Sequence, residues 1–325
     1  MTAQIDSAGH PALAGIPLVL GGNVFGWTAH GDEGFAVLDA FYEAGGRMID
    51  TADVYSAWIP GHKGGESESF IGEWLASRGV REDMRIHTKT GMLPRGGGQH
   101  VFGSEGDPIL YQPAEVLLSL GASLDRLQTD YLDLYYAHRD YDQLEMGGIV
   151  EAFDGAVKSG KVREIGASNF SAERLSAALE AAEAQGRTPF TVLQNQYNLV
   201  ARESYGADLQ DLCVSRGIAM LPFFGLASGY LTGKYRKPED FEQGNRAHRV
   251  KDFDEKGRPV LAVMDDIAAE TGASLPAIAL AWLVRQPGIP APIASARTVG
   301  QLHEMLEFTR VDLSEQQLQR LTAAA

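Results

Sequence analysis

The chain has 325 residues, 44% of them hydrophobic, and a formal net charge of −15. That charge argues against a nucleic-acid or anionic-membrane surface, because phosphates would be repelled, although a few local cations can still hold a phosphate-bearing cofactor. A single cysteine, Cys213, excludes an internal disulfide and a cysteine-based zinc site. The N-terminal stretch MTAQIDSAGHPALAG has neither a basic nor an apolar signal-peptide region, and no apolar run approaches the roughly 18 residues that span a bilayer. A soluble, cytoplasmic protein is expected.

Along the chain, Leu18-Val19-Leu20 reads as a strand ending at Gly21-Gly22-Asn23, and residues 33–44 carry Phe35, Leu38, Phe41 and Tyr42 at helical spacing. Met48 and Ile49 form a second strand that stops at Asp50, and Ser67 to Arg78 is a second helix. A third strand, Arg85 to Thr90, is followed by a helix that opens on Pro113, a residue suited to a first turn. The same alternation predicts strands at Tyr131–His138, Val162–Ser168, Thr191–Tyr197, Ile218–Phe224 and Ala291–Ala296. Helices are predicted at 147–159, from a Ser171 cap to Ala184, at 204–215, at Arg258–Glu270 and at Ser274–Arg285. Eight strands, each followed by a helix, imply an α/β chain folded as a (β/α)8 TIM barrel, one domain over residues 1–325 with a core of about 15–322. A doubly wound sheet would place a G-x-G-x-x-G turn after its first strand, and none is there.

Two connections, 91–112 with Gly96-Gly97-Gly98 and the charged 232–257, exceed the usual loop length, and both follow strands on the C-terminal face. The spacings Thr298-x-x-Gln301 and Ser314-x-x-Gln317 predict capping boxes on two closing helices, 299–307 and 315–322.

Polar residues stand at the C-terminal ends of six strands: Asp50, Lys89, His138, Ser168 with Asn169, Gln194, and Arg297. Any one of them could simply reach solvent, but six at one rim form a set. A tyrosine is a weak acid at neutral pH unless its phenolate is stabilised. A neighbouring ammonium does this, and a carboxylate keeps that ammonium charged. Asp50, Lys89 and Tyr55 supply these three groups, and His138 can orient a substrate oxygen or assist the proton. Such a set protonates a carbonyl while a hydride arrives from a nicotinamide, since no side chain donates one.

Seven stretches in order carry a resemblance to the aldo-keto reductases, from about Leu18 to Leu321. They are Asp50-Thr51-Ala52-Asp53-Val54-Tyr55, Gly64-Gly65-Glu66-Ser67-Glu68, His87-Thr88-Lys89-Thr90, Asp133 to His138, Gly166 to Phe170, Gln194 to Asn198, and Leu226 to Lys234. The resemblance implies a catalytic tetrad of Tyr55 as acid, Asp50 and Lys89 tuning it, and His138 positioning the carbonyl. It implies that Ser168, Asn169 and Gln194 hold the nicotinamide carboxamide and that Phe223 stacks on the ring. By the same resemblance Gly22, Asn23 and Asp50 border the cofactor, and Leu226, Gly229 and Leu231 follow the pyrophosphate. Arg297, with Gln301 and Glu304 at the adenine end, favours NADPH over NADH through a 2′-phosphate. Ser295 and Met305 stand where the pattern has glycine and asparagine. Phe25, Trp27 and Trp58 are expected at the substrate rim, where they would suit apolar or aromatic carbonyls or sugar faces.

The implied activity is reduction of small aldehydes or ketones, with no metal, nucleic-acid or membrane partner, and the sequence is silent on oligomeric state. A redox-sensing regulatory subunit on the same barrel is the alternative. A lyase using Lys89 as a Schiff-base nucleophile conflicts with neighbouring Asp50, which keeps the amine charged. A metal hydrolase lacks a His-x-His pair at the end of an early strand.

Overall fold

The computed structural model describes residues 9–94, 107–242 and 250–325; Gly96-Gly97-Gly98 lies outside the described residues. Eight short strands line up in parallel: β1 (Val19–Gly21), β2 (Met48–Asp50), β3 (Arg85–Thr90), β4 (Leu132–Ala137), β5 (Val162–Ser168), β6 (Val192–Gln194), β7 (Ala219–Met220) and β8 (Ile293–Ala294). Each pairs with its sequence neighbours, and β1 also pairs with β8. The remaining seam closes where Ile293 N–H donates to Pro222 O, just past β7, at 2.9 Å. The sheet is therefore the expected (β/α)8 barrel.

The helices cover its outside: α1 (Gly31–Glu43), α2 (Glu66–Arg78), α3 (Pro113–Leu127), α4 (Met146–Lys158), α5 (Ala172–Gln185), α6 (Ala207–Arg216), α7 (Asp254–Thr271) and α8 (Leu275–Leu283). After β8 come α9 (Val299–Leu306) and α10 (Glu315–Ala323). None of the described helices is long and apolar enough to cross a membrane. β6, β7 and β8 are shorter than the runs predicted; Pro222 and Pro292, beside the last two, have no N–H to give a ladder. The seventh helix starts four residues earlier than Arg258, at Asp254.

Caps follow the sequence with one variation. Ser171 Oγ accepts the Arg174 N–H at 3.2 Å, and Ser314 with Gln317 completes a reciprocal capping box. Thr298 Oγ1 also caps its helix, but the Gln301 carbonyl takes the Arg297 N–H at 3.0 Å, one residue before the cap.

Side chains alternate across each strand, and the alternation builds two cores. Val19, Met48, Leu134, Tyr136, Val192, Ala219 and Ile293 fill the barrel interior. Leu20, Ile49, Ile86, Tyr135, Ile165, Leu193 and Met220 face the helices in the larger outer core. Residues at the strands' C-terminal ends that share the inward parity must then look into the mouth.

Candidate active site

Asp50 lies two residues beyond inward-facing Met48, Gln194 two beyond Val192, and His138 two beyond Tyr136. Lys89 takes the matching place on β3, paired in register with Tyr136. The barrel brings these groups together around the lysine. Lys89 Nζ is wholly buried and donates to Asp50 Oδ2 at 2.5 Å, Thr51 O at 2.8 Å and Tyr55 Oη at 3.1 Å. All three ammonium protons therefore have acceptors. Burial alone would lower the lysine's pKa, yet the Asp50 carboxylate and the Tyr55 hydroxyl outweigh it and hold it above the ordinary lysine range. An isolated buried charge would be several kcal/mol unfavourable, so Asp50 is what lets Lys89 stay an ammonium here. Asp50, itself 2% exposed, is held on its other oxygen by Gln194 Nε2 at 2.9 Å.

Tyr55 sits half-buried on the loop after β2. Its backbone is fixed by Tyr55 N–H to Ala52 O at 3.1 Å and Gly65 N–H to Tyr55 O at 3.0 Å. The Glu66 carboxylate gathers the N–H groups of Ser56, Lys63 and Gly64 from the same loop. Ser67 Oγ donates to Gly22 O at 2.7 Å and lies 2.8 Å from Thr51 Oγ1. Glu68, buried behind them, accepts from Thr88 and from Arg126. The Gly64-to-Glu68 stretch was visible in the sequence as a motif without a task; its task is to pin the tyrosine loop.

His138 is 8% exposed, and its ring centroid lies 6.0 Å from that of Tyr55. Asn169, in the left-handed region at φ 62°, donates from Nδ2 to His138 O and Ser168 Oγ, both at 3.0 Å. Trp58 packs edge-on to Tyr55 at 5.6 Å and to Trp27 at 5.8 Å, so one half-buried indole lies against the phenol and a second lies against the first. Phe25 does not join them: it is fully buried, stacked on Phe70 at 5.5 Å, and has no surface to offer a substrate.

The cofactor residues divide in the same way. Phe223 is half-buried at the top of the interior core, next to Phe224 at 5.1 Å. Gly22 is required by packing, since a Cβ there would lie 2.9 Å from Asp50 O. Asn23 Oδ1 accepts the Ser295 hydroxyl at 2.7 Å, tying the β1 and β8 ends together. After β7, Gly229 has φ 95° and its N–H closes on Leu226 O at 2.8 Å. Leu231 is a correction: its side chain is wholly buried and its amide is bonded to Leu226 O, so it shapes the turn and presents no donor to a phosphate. Lys234, which sequence reasoning quoted but gave no role, carries its ammonium 3.0 Å from the point a Gly229 Cβ would occupy. Arg297 and Glu304 are exposed, and the Arg297 guanidinium forms no ion pair among the described residues. Met305 is buried in the outer core instead of facing a ligand.

Asp53, two residues before Tyr55, lies on the helix side of the sheet and was not singled out by the sequence. It is 3% exposed, its Oδ1 has no partner, and burial together with the Glu68 charge pushes its pKa up to about 7.

Fold and mouth together describe a (β/α)8 barrel with an acid–base set at the end where such barrels carry their active sites. The chain belongs to the aldo/keto reductase family, whose model matches residues 17–325. It is 34% identical over 320 residues to a norsolorinic acid reductase of Emericella nidulans, covering 94% of this chain and 78% of that one. It is 29% identical over 320 residues to an NADP(+) aryl-alcohol dehydrogenase of Phanerodontia chrysosporium, covering 94% and 81%. An uncharacterized oxidoreductase of Bacillus subtilis, YrpG, is 33% identical over 310 residues, covering 94% and 90%. The protein is an NAD(P)H-dependent oxidoreductase.

Proposed function

We propose that the protein reduces aryl or similarly apolar aldehydes and ketones to alcohols, using NADPH, with Tyr55 donating the proton. The observation that carries this reading is the three-way bond of Lys89 to Asp50, Thr51 O and the Tyr55 hydroxyl. A lysine fixed as an ammonium stabilises the negative charge that develops on the phenol oxygen as its proton leaves. A nicotinamide supplies the hydride when bound. His138, beside the Tyr55 ring, orients the carbonyl oxygen towards the phenol. The residues fit a nicotinamide cofactor: with its amide nitrogen engaged, Asn169 keeps its carbonyl oxygen and Ser168 its hydroxyl for a carboxamide, with Gln194 beside Ser168 on the next strand. The exposed cations Arg297 and Lys234 suit its phosphates, in spite of the net charge of −15. The Trp58 indole beside Tyr55, with Trp27 packed on it, and relatives named for aryl-alcohol and norsolorinic acid substrates favour aromatic carbonyls.

The test is loss of NADPH absorbance with a panel of aryl and alkyl aldehydes and ketones. Tyr55→Phe should quench normally with NADPH yet turn over at least ~100-fold more slowly; full activity in that variant rejects Tyr55 as the acid. Arg297→Ala should weaken NADPH binding about tenfold while leaving NADH binding nearly unchanged. Equal losses for the two cofactors would remove the 2′-phosphate role.

A further inference from the structure

The backbone around His138 is fixed by three different partners. Its N–H donates to Thr90 O at 2.9 Å, one residue past the end of β4, and its carbonyl accepts from Asn169 Nδ2 at 3.0 Å. The next residue, Arg139, lies beyond the ladder of β3 and β4, and a side chain serves it instead. The Tyr111 hydroxyl accepts the Arg139 N–H at 3.2 Å and donates to Arg139 O at 2.8 Å. A phenol oxygen carries one proton and also lone pairs, so it can take the place of both groups of a neighbouring strand. Thr90 O, at 3.4 Å, is the more distant acceptor for the same proton.

Tyr111 comes from the far end of the long connection after β3, in the short turn Pro108–Tyr111 that leads into α3. Its side chain is buried, and its ring packs edge-on against Tyr141 at 5.1 Å and against Phe153 of α4 at 5.6 Å. Gly91 makes room for the tip of the ring, since a Cβ there would lie 2.6 Å from the hydroxyl. Tyr141 in turn donates to Gly91 O, and the Arg139 guanidinium lies over the Tyr141 ring at 5.2 Å. Burial pushes the Tyr111 pKa well up, so the hydroxyl keeps the proton that Arg139 O receives. A phenylalanine would fill the same space and lose both bonds to Arg139.

We propose that Tyr111 is a positioning residue for the reaction: by clamping the Arg139 backbone it holds His138 at the mouth, with its ring 6.0 Å from that of Tyr55, where the histidine orients the carbonyl. The part played by His138 rests on the function proposed above; the clamp rests on the hydrogen bonds alone.

The test is Tyr111→Phe, alone and combined with His138→Ala. With NADPH and an aryl aldehyde, Tyr111→Phe should lower kcat/KM about tenfold or more, the scale of a displaced orienting group, with NADPH binding unchanged. In the His138→Ala background the same change should cost almost nothing further, because the two residues act as a unit. In cofactor-free protein, the His138 imidazole signals of histidine-labelled samples, assigned by their absence from His138→Ala, should shift or split in Tyr111→Phe. Amide exchange of the wild type needs no variant: the Arg139 amide should be protected like the amides of β4, and free exchange there removes the clamp. A lower melting temperature with kcat/KM and the His138 signals unchanged, or an equal loss of kcat/KM in both backgrounds, would overturn the proposal and leave Tyr111 as packing. If wild type reduces none of the carbonyls, the proposed function fails, while the His138 signals and the Arg139 amide still decide the clamp.

Discussion

The barrel buries a carboxylate at each end of its interior, and the two serve different purposes. At the floor, His10 Nδ1 and Glu164 Oε1 are 2.7 Å apart. Glu164 also accepts the Ala12 N–H at 3.1 Å and the Thr191 hydroxyl at 2.6 Å, and the other nitrogen of His10 faces Gly217 O at 3.1 Å. Every one of these bonds ends on backbone or on another enclosed side chain, so the carboxylate staples residues 10–12 across the barrel bottom. At the mouth, the corresponding chain of bonds runs from Gln194 through Asp50 and Lys89 and ends on the half-buried Tyr55 hydroxyl. Its last member meets solvent or substrate. A buried carboxylate is structural when its partners are all internal, and it becomes chemical when its chain of bonds ends at a surface.

Predictions test this contrast from the largest effect downwards. Lys89→Met strands the Asp50 carboxylate and should destabilise the fold by about 3–5 kcal/mol in a denaturant melt, with turnover lost as well. Unchanged stability would mean that Lys89 is no counter-ion.

Asp53→Asn probes a buried acid that belongs to neither chain of bonds. Its folded pKa of about 7 lies above the reference 3.8, so the folded state binds more protons between those values and wild-type stability falls as pH rises through that window. The variant should match wild type near pH 4 and gain roughly 2–4 kcal/mol over it by pH 8. A gain that is the same at both pH values would dismiss the raised acid.

Glu164→Gln should have the smallest effect, a loss of about 1–3 kcal/mol with turnover per folded molecule unchanged. Burial opposes the Glu164 charge, but the His10 and Thr191 hydrogen bonds prevail and hold its pKa below the usual 4.5. The charge therefore stabilises the fold above that range, and the difference from the variant should fade as pH falls below it. If turnover fell together with stability, the floor and the mouth would not be separable.

Much of this was legible in the sequence because it is local. Strand and helix periodicity gave the alternation, and position at the C-terminal strand ends placed Asp50, Lys89, His138 and Gln194 at one rim. Proline shortened β7 and β8, which an apolar run cannot reveal when the missing N–H is what matters. Phe25 and Leu231 read as pocket or cofactor residues, but only the packed core shows that one lies against Phe70 and the other faces inward. Asp53 left no sequence signal, since its exceptional feature is burial beside Glu68 from another element.

By itself, then, the sequence determined the barrel, its family and the residue types at the mouth. The tertiary structure alone decided the pairing that makes them a unit. Asp50 and Gln194 lie 144 positions apart and meet at 2.9 Å because eight parallel strands close on themselves. Periodicity fixes which way a side chain points, and only closure of the barrel fixes what it points at.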